Sequence, residues 1–112
     1  MSTNEQDAER DLSRVREVDI VCEASARAAN HPGNRDYAVA VAAHVNSEHP
    51  DLQDPEVRRE SSRVIVEQFR GQGARFLGRT RRETWKELSE GLAQRWVSQH
   101  LRRLSEAQQQ EP

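Results

Sequence analysis

A chain of 112 residues has length for one small domain and hardly two. Charged residues make up 32%, the net charge is −2, and Leu, Ile, Val and Phe total 21, a sparse apolar set without the large net charge that compositional disorder also requires. The longest strongly apolar stretch, Tyr37 to Val45, is too short to span a bilayer, which excludes a transmembrane helix.

Residues 1–14 hold Glu5, Asp7, Glu9 and Asp11 with only Leu12 as a large apolar group, and read as a disordered acidic arm without the basic and apolar regions of a secretory signal. Residues 15–104 are the expected single globular domain, and residues 105–112 a disordered polar tail. Cys22 is the sole cysteine, so no internal disulfide is available; a reducing location, nuclear or cytoplasmic, is expected.

Within the domain, Val18 to Cys22 is a short β-branched run suited to a strand. Asn30-His-Pro-Gly-Asn34 is turn chemistry, and Asn34 is expected to cap a helix running to about Glu48, with Tyr37, Val41, His44 and Val45 on one face. Asp54-Pro55-Glu56 starts a second helix: an N-cap oxygen, a proline at the first turn and an acid at the positive helix end. Val57, Val64, Ile65 and Phe69 fall on one broad face of it, and Gly71 and Gly73 close it. Ala74 to Leu77 then reads as a strand. Residues 80–104 fit two readings. Either Thr80-Arg-Arg-Glu83 is a capping box that starts a long helix, or Thr84 to Leu88 is a return strand and Ser89 caps a shorter helix to Leu104, with Ala93, Val97 and Leu101 inside.

Asp19-Ile-Val-Cys22, Asn30-His-Pro-Gly-Asn-Arg35, Gly73-Ala-Arg-Phe-Leu77 and Trp85-Lys-Glu-Leu88 occur in that order. Together they resemble a domain-of-unknown-function family expanded in diatoms and related algae, over about residues 19–103. The resemblance implies an α+β, mostly α, fold: three helices with a short β-hairpin before the last helix. It therefore favours the return strand. Where the family carries Gly-Arg-Gly after the early cysteine, this chain has Glu23-Ala-Ser25, which removes the glycines that an anion-binding backbone nest would use. The family brings no activity.

Charge is distributed unevenly. Residues 57–103 carry twelve Lys or Arg against five Glu, a net +7, while the remainder of the chain is acidic. Sixteen of the seventeen cations are arginine, whose planar fork suits phosphate. On the second helix the Arg and Glu alternate at helical spacing, so Arg59 and Arg63 are expected to be laced to Glu56, Glu60 and Glu67. From Arg70 to Arg82 there is no acid at all. Arg75, Arg79, Arg81 and Arg82 are thus the candidate nucleic-acid contacts, with Arg35 and Lys86 as auxiliaries. Phe76 and Trp85 are expected to pack rather than stack on bases.

The four histidines and Cys22 make no zinc spacing, so no metal and no cofactor are expected. Cys22 reads as a small packed hydrophobe and His31 as a turn residue, leaving no catalytic constellation; the chain is not expected to be an enzyme. The expected function is a noncatalytic nucleic-acid-binding module, DNA in the first instance, that holds phosphates through an arginine-rich hairpin tip. The alternative is a protein-interaction or adaptor domain, with Trp96, Val97, Leu101 and Leu104 on the last helix as the partner or self-association surface.

Overall fold

The computed structural model describes residues 15–48, 51–82 and 84–109. The elements are β1 (Ile20–Val21), α1 (Ala26–Ala29), α2 (Pro32–Glu48), a 3₁₀ turn (Asp51–Gln53), α3 (Pro55–Gly71), β2 (Phe76–Arg79), β3 (Trp85–Glu87) and α4 (Glu90–Gln109). The fold is α+β and mostly α, with the hairpin placed immediately before the last helix. The acidic arm lies outside the described residues.

Local chemistry sets most boundaries. Asp54 caps α3, its carboxylate accepting the Glu56 N–H at 2.9 Å, and Pro55 occupies the first turn. Beyond α3 the chain reverses at Gly73, whose φ of 89° lies in the left-handed region that glycine enters without steric cost. Ser89 opens α4, its hydroxyl accepting the Leu92 N–H at 3.3 Å. The helix does not stop at Leu104. It continues to Gln109, because Ser105 is fully buried and accepts the Gln53 side-chain N–H at 2.7 Å. Residues 105–109 are therefore part of the domain rather than of the expected tail.

β2 pairs in parallel with β1 and antiparallel with β3, giving the sheet order β1-β2-β3. Strand alternation divides the sheet's residues between two clusters. Ile20 and Phe76 join Tyr37, Val41, Ile65, Phe69, Val97 and Leu101 in the main helical core. Val21 and Leu77 face the other way, into a smaller cluster with Val15 and Ala28, against which Trp85 packs.

The Asn30–Arg35 turn docks α2 onto β1. Asn34 does not cap the helix. It lies inside the first turns of α2, buried, where its side-chain oxygen accepts the Val21 N–H at 2.7 Å and its amide donates to the Val21 carbonyl at 2.9 Å. The side chain thereby acts as a third strand neighbour and satisfies the free edge of β1. Gly33 makes the approach feasible, since a Cβ there would stand 2.0 Å from the Asp19 carbonyl oxygen. His31 completes the docking, with Nε2 at 3.0 Å from the Arg16 carbonyl.

Candidate nucleic-acid interface

The hairpin places the candidate cations. Thr80 closes its tip: the Thr80 N–H donates to the Thr84 carbonyl at 2.8 Å, while its hydroxyl accepts the N–H groups of Arg82 and Thr84, each at 3.2 Å. Backbone polarity is thus satisfied locally. The side chains of Arg81 and Arg82 are exposed and make no hydrogen bond or ion pair among the described residues. Lys86, opposite Gly78 on β3, is also exposed.

Arg75 and Arg79 are placed differently. By alternation both lie on the Leu77 face of β2, where the parallel register brings them to acids of the first strand segment. Arg75 Nη2 donates to Asp19 Oδ2 at 2.7 Å, and the Arg75 backbone N–H donates to Oδ1 at 3.0 Å. Asp19 is fully buried and also accepts the Arg16 backbone N–H at 2.8 Å. Burial pushes this carboxyl up, but the Arg75 side chain and the surrounding donors pull it further down, so it stays below the usual carboxylate range. Arg79 Nε donates to Glu23 at 2.8 Å, and its guanidinium carbon lies 4.6 Å from the Trp85 ring centroid. These two guanidinium groups, candidates for nucleic-acid contact because no acid lies between Arg70 and Arg82, are instead occupied within the molecule by acids 56 residues upstream.

Arg35 is exposed on α2, whose strand partner β1 is the opposite edge of the sheet from β3. The structure therefore groups Arg81, Arg82 and Lys86 on one hairpin and leaves Arg35 on a separate element.

The four residues named on the last helix do not form one surface. Val97 and Leu101 are fully buried in the core, because α4 packs that stripe against α2 and α3. Trp96 is half-buried and stacks on Tyr37 with ring centroids 4.9 Å apart; Leu104 is 42% exposed. Trp96 and Leu104 line a depression of about 290 Å³ with Tyr37, Val41 and His100. At its wall the Tyr37 hydroxyl and His100 Nδ1 are 2.9 Å apart. Burial, reinforced by the Arg103 charge, lowers the His100 pKa and favours the neutral ring.

The chemistry of Cys22 and His31 is equally local. Cys22 packs against the core, and burial pushes its thiol up to about 12, far from a reactive thiolate. His31 is spent on the Arg16 backbone carbonyl. Among the described residues no group of His, Cys, Asp and Glu is placed to hold a metal ion, and no helix is long and apolar enough to cross a membrane. His49 lies outside the described residues.

On α3 the expected lacing is present in part. Arg63 bonds Glu67 at 2.8 Å and also pairs with Glu60. Arg59 makes no ion pair among the described residues and instead lines a polar groove between α3 and α4 with Arg58, Arg95 and Arg102. Helical spacing carries the signal for this groove: Arg95, Ser98 and Arg102 share one face of α4, as do Arg58, Arg59 and Ser62 on α3. Only the antiparallel packing of the two helices, visible in Arg70 Nη2 donating to the Leu88 carbonyl at 3.0 Å, joins the faces.

Over residues 19–103 the chain matches the family described as Domain of unknown function (DUF6824). No curated protein and no solved structure matches it.

Proposed function

We propose, for a chain that belongs to the DUF6824 family of domains of unknown function, a noncatalytic nucleic-acid-binding module that contacts phosphates through its hairpin tip. The observation that carries this reading is the contrast along one hairpin. Arg75 and Arg79 are neutralised by Asp19 and Glu23, whereas Arg81 and Arg82 extend from a tip whose backbone is already closed by Thr80. Lys86 adds a third exposed cation on the same hairpin. Arginine forks held on a short, hydrogen-bonded turn suit phosphate oxygens, and the counterions they release make such binding salt-dependent. Phosphate contacts position a duplex without reading its bases, so the interaction supported is sequence-independent, with DNA as the first ligand to try. Arg75 leaves the proposed contact set, and Arg79 serves as the brace beneath the tip. Arg35, across the sheet, is a secondary contact.

Duplex DNA titrated at rising salt tests this. The wild-type chain is expected to bind with an affinity that falls steadily with salt concentration. Arg81→Gln/Arg82→Gln is expected to lower both the affinity and the salt slope, the slope by about one unit for each phosphate no longer engaged. Binding unchanged in the double variant, or flat in salt, removes the proposal.

An adaptor role is the second reading, favoured by the apolar depression beside Trp96 and Leu104. It rests on those two residues, since Val97 and Leu101 belong to the core. Sedimentation at several concentrations tests self-association, and Leu104→Arg is expected to abolish any that occurs. A nuclear or cytoplasmic location, and the family's expansion in diatoms and related algae, belong to the same proposal.

A further inference from the structure

Arginines converge on a second place, away from the hairpin. Between the N-terminal half of α3 and the middle of α4 lies an open groove of about 400 Å³, lined by Arg58, Arg59, Ser62, Arg95, Ser98 and Arg102 among others, with no carboxylate in its wall among the described residues. Arg58 is half-buried and fixed, Nη1 donating to the Leu52 carbonyl at 2.9 Å. Ser62 is buried beneath it, its hydroxyl donating to the Arg58 carbonyl at 2.7 Å. Arg59 and Arg95 are exposed on facing helices and make no hydrogen bond or ion pair among the described residues. Arg102 pairs with Glu106 at 3.0 Å, but both side chains are well exposed, and such a pair holds the guanidinium weakly.

From this we infer that the α3/α4 groove is a binding site for a compact oligophosphate, two or more linked phosphate groups, independent of the hairpin. Four arginines line one groove, two of them without a partner among the described residues, and a polyanion placed among them relieves their mutual repulsion while using the N–H donors of Arg59 and Arg95. One phosphate cannot engage four forks on two helices; a chain of phosphates can. The groove volume falls in the range of small-molecule sites. Among the described residues its lining has no aromatic ring on which a nucleobase would stack, so the phosphate chain is what it recognises. A free oligophosphate and the tail of a nucleoside triphosphate share that chemistry.

Calorimetric titration of the full chain with tripolyphosphate, ATP and adenosine distinguishes the sources. Tripolyphosphate and ATP are expected to bind within about threefold of each other and adenosine not at all; Arg59→Gln/Arg95→Gln is expected to weaken tripolyphosphate by about tenfold or more. The Arg81→Gln/Arg82→Gln variant is expected to bind tripolyphosphate as the wild type does, which separates this site from the hairpin's fate as a DNA contact. Amide shifts of the wild-type chain on adding tripolyphosphate are expected at residues 58–62 and 95–102, a readout that needs no variant. Overturning results are absence of tripolyphosphate binding, ATP binding without it, full binding by the groove variant, or shifts confined to the hairpin.

Discussion

The fully buried carboxylate of Asp19 accepts the Arg75 guanidinium at 2.7 Å, and four residues further along both segments Glu23 accepts that of Arg79 at 2.8 Å. The parallel pairing of β1 with β2 brings the residues flanking β1 beside Arg75 and Arg79, so the two pairs bracket the ladder. The inner pair is structural. Asp19→Ala would leave the backbone N–H groups of Arg16 and Arg75 without an acceptor, and is expected to lower unfolding free energy by about 2–4 kcal/mol, with Asp19→Asn costing less because it retains an oxygen. Urea denaturation measures both. Asp19→Ala as stable as wild type would show that the pair contributes nothing.

The same carboxylate gives an acid dependence of known sign. Its folded pKa lies below the ordinary value of 3.8, so the unfolded chain binds the proton more readily. The resulting stability is fully present above that value and is lost as pH falls below it toward the folded pKa. Thermal melts from neutral pH downward are expected to show an acid-induced loss in the wild type that is smaller in Asp19→Asn.

His100 carries the opposite charge type and a different window. Its pKa is lowered by burial, so the folded ring stays neutral at a pH where the unfolded ring, with its ordinary value of 6.5, is already protonated. Stability from this group is present above pH 6.5 and falls as pH drops below it toward the folded pKa. The slope of stability between about pH 5 and 7 is expected to flatten in His100→Gln, since histidine is the side chain that titrates there. An unchanged slope would place the pH dependence elsewhere.

Asn34 shows where local pattern fails. Its position after a Pro-Gly turn looks like a cap, yet its amide is spent on Val21, 13 residues upstream. Asn34→Ala would strand two buried backbone groups at the β1 edge, and is expected to cost about 2–4 kcal/mol in chemical denaturation, with Asn34→Asp no rescue because it removes the donor to the Val21 carbonyl. Retained stability in Asn34→Ala would mean that the edge of β1 is satisfied without this side chain.

The same divide between near and distant partners separates what is legible in the sequence from what is not. The start of α3 rests on Asp54, Pro55 and Glu56, three neighbours whose chemistry is complete within one turn, and the apolar spacing of Tyr37, Val41 and Val45 names the buried face of α2 without tertiary knowledge. The hairpin is legible only through motif resemblance, because Thr80 and Glu83 fit a capping box equally well. Pairings across long separations are not legible. Arg75 looks unpartnered in the sequence because Asp19 is 56 residues away and becomes its neighbour only through a parallel strand. Ser105 looks like tail for a like reason: its partner Gln53 lies in a distant 3₁₀ turn. Arg59 looks laced because Glu56 stands at helical spacing, whereas the packing of α4 gives it a groove to face.

Gly33 offers the sharpest test of the docking between α2 and β1. An added Cβ would meet the Asp19 carbonyl oxygen at 2.0 Å and the Glu17 carbonyl oxygen at 2.9 Å, both backbone atoms that cannot rotate aside. Gly33→Ala must therefore push α2 away from β1, lengthening the Asn34 bonds to Val21, and is expected to destabilise by about 2–3 kcal/mol. Gly91 is the control, with open space where its Cβ would stand in the first turn of α4. Gly91→Ala is expected to stabilise by up to about 1 kcal/mol through helix propensity alone. Equal effects of the two substitutions in urea melts would mean that the close approach at Gly33 is not what holds the helix to the sheet.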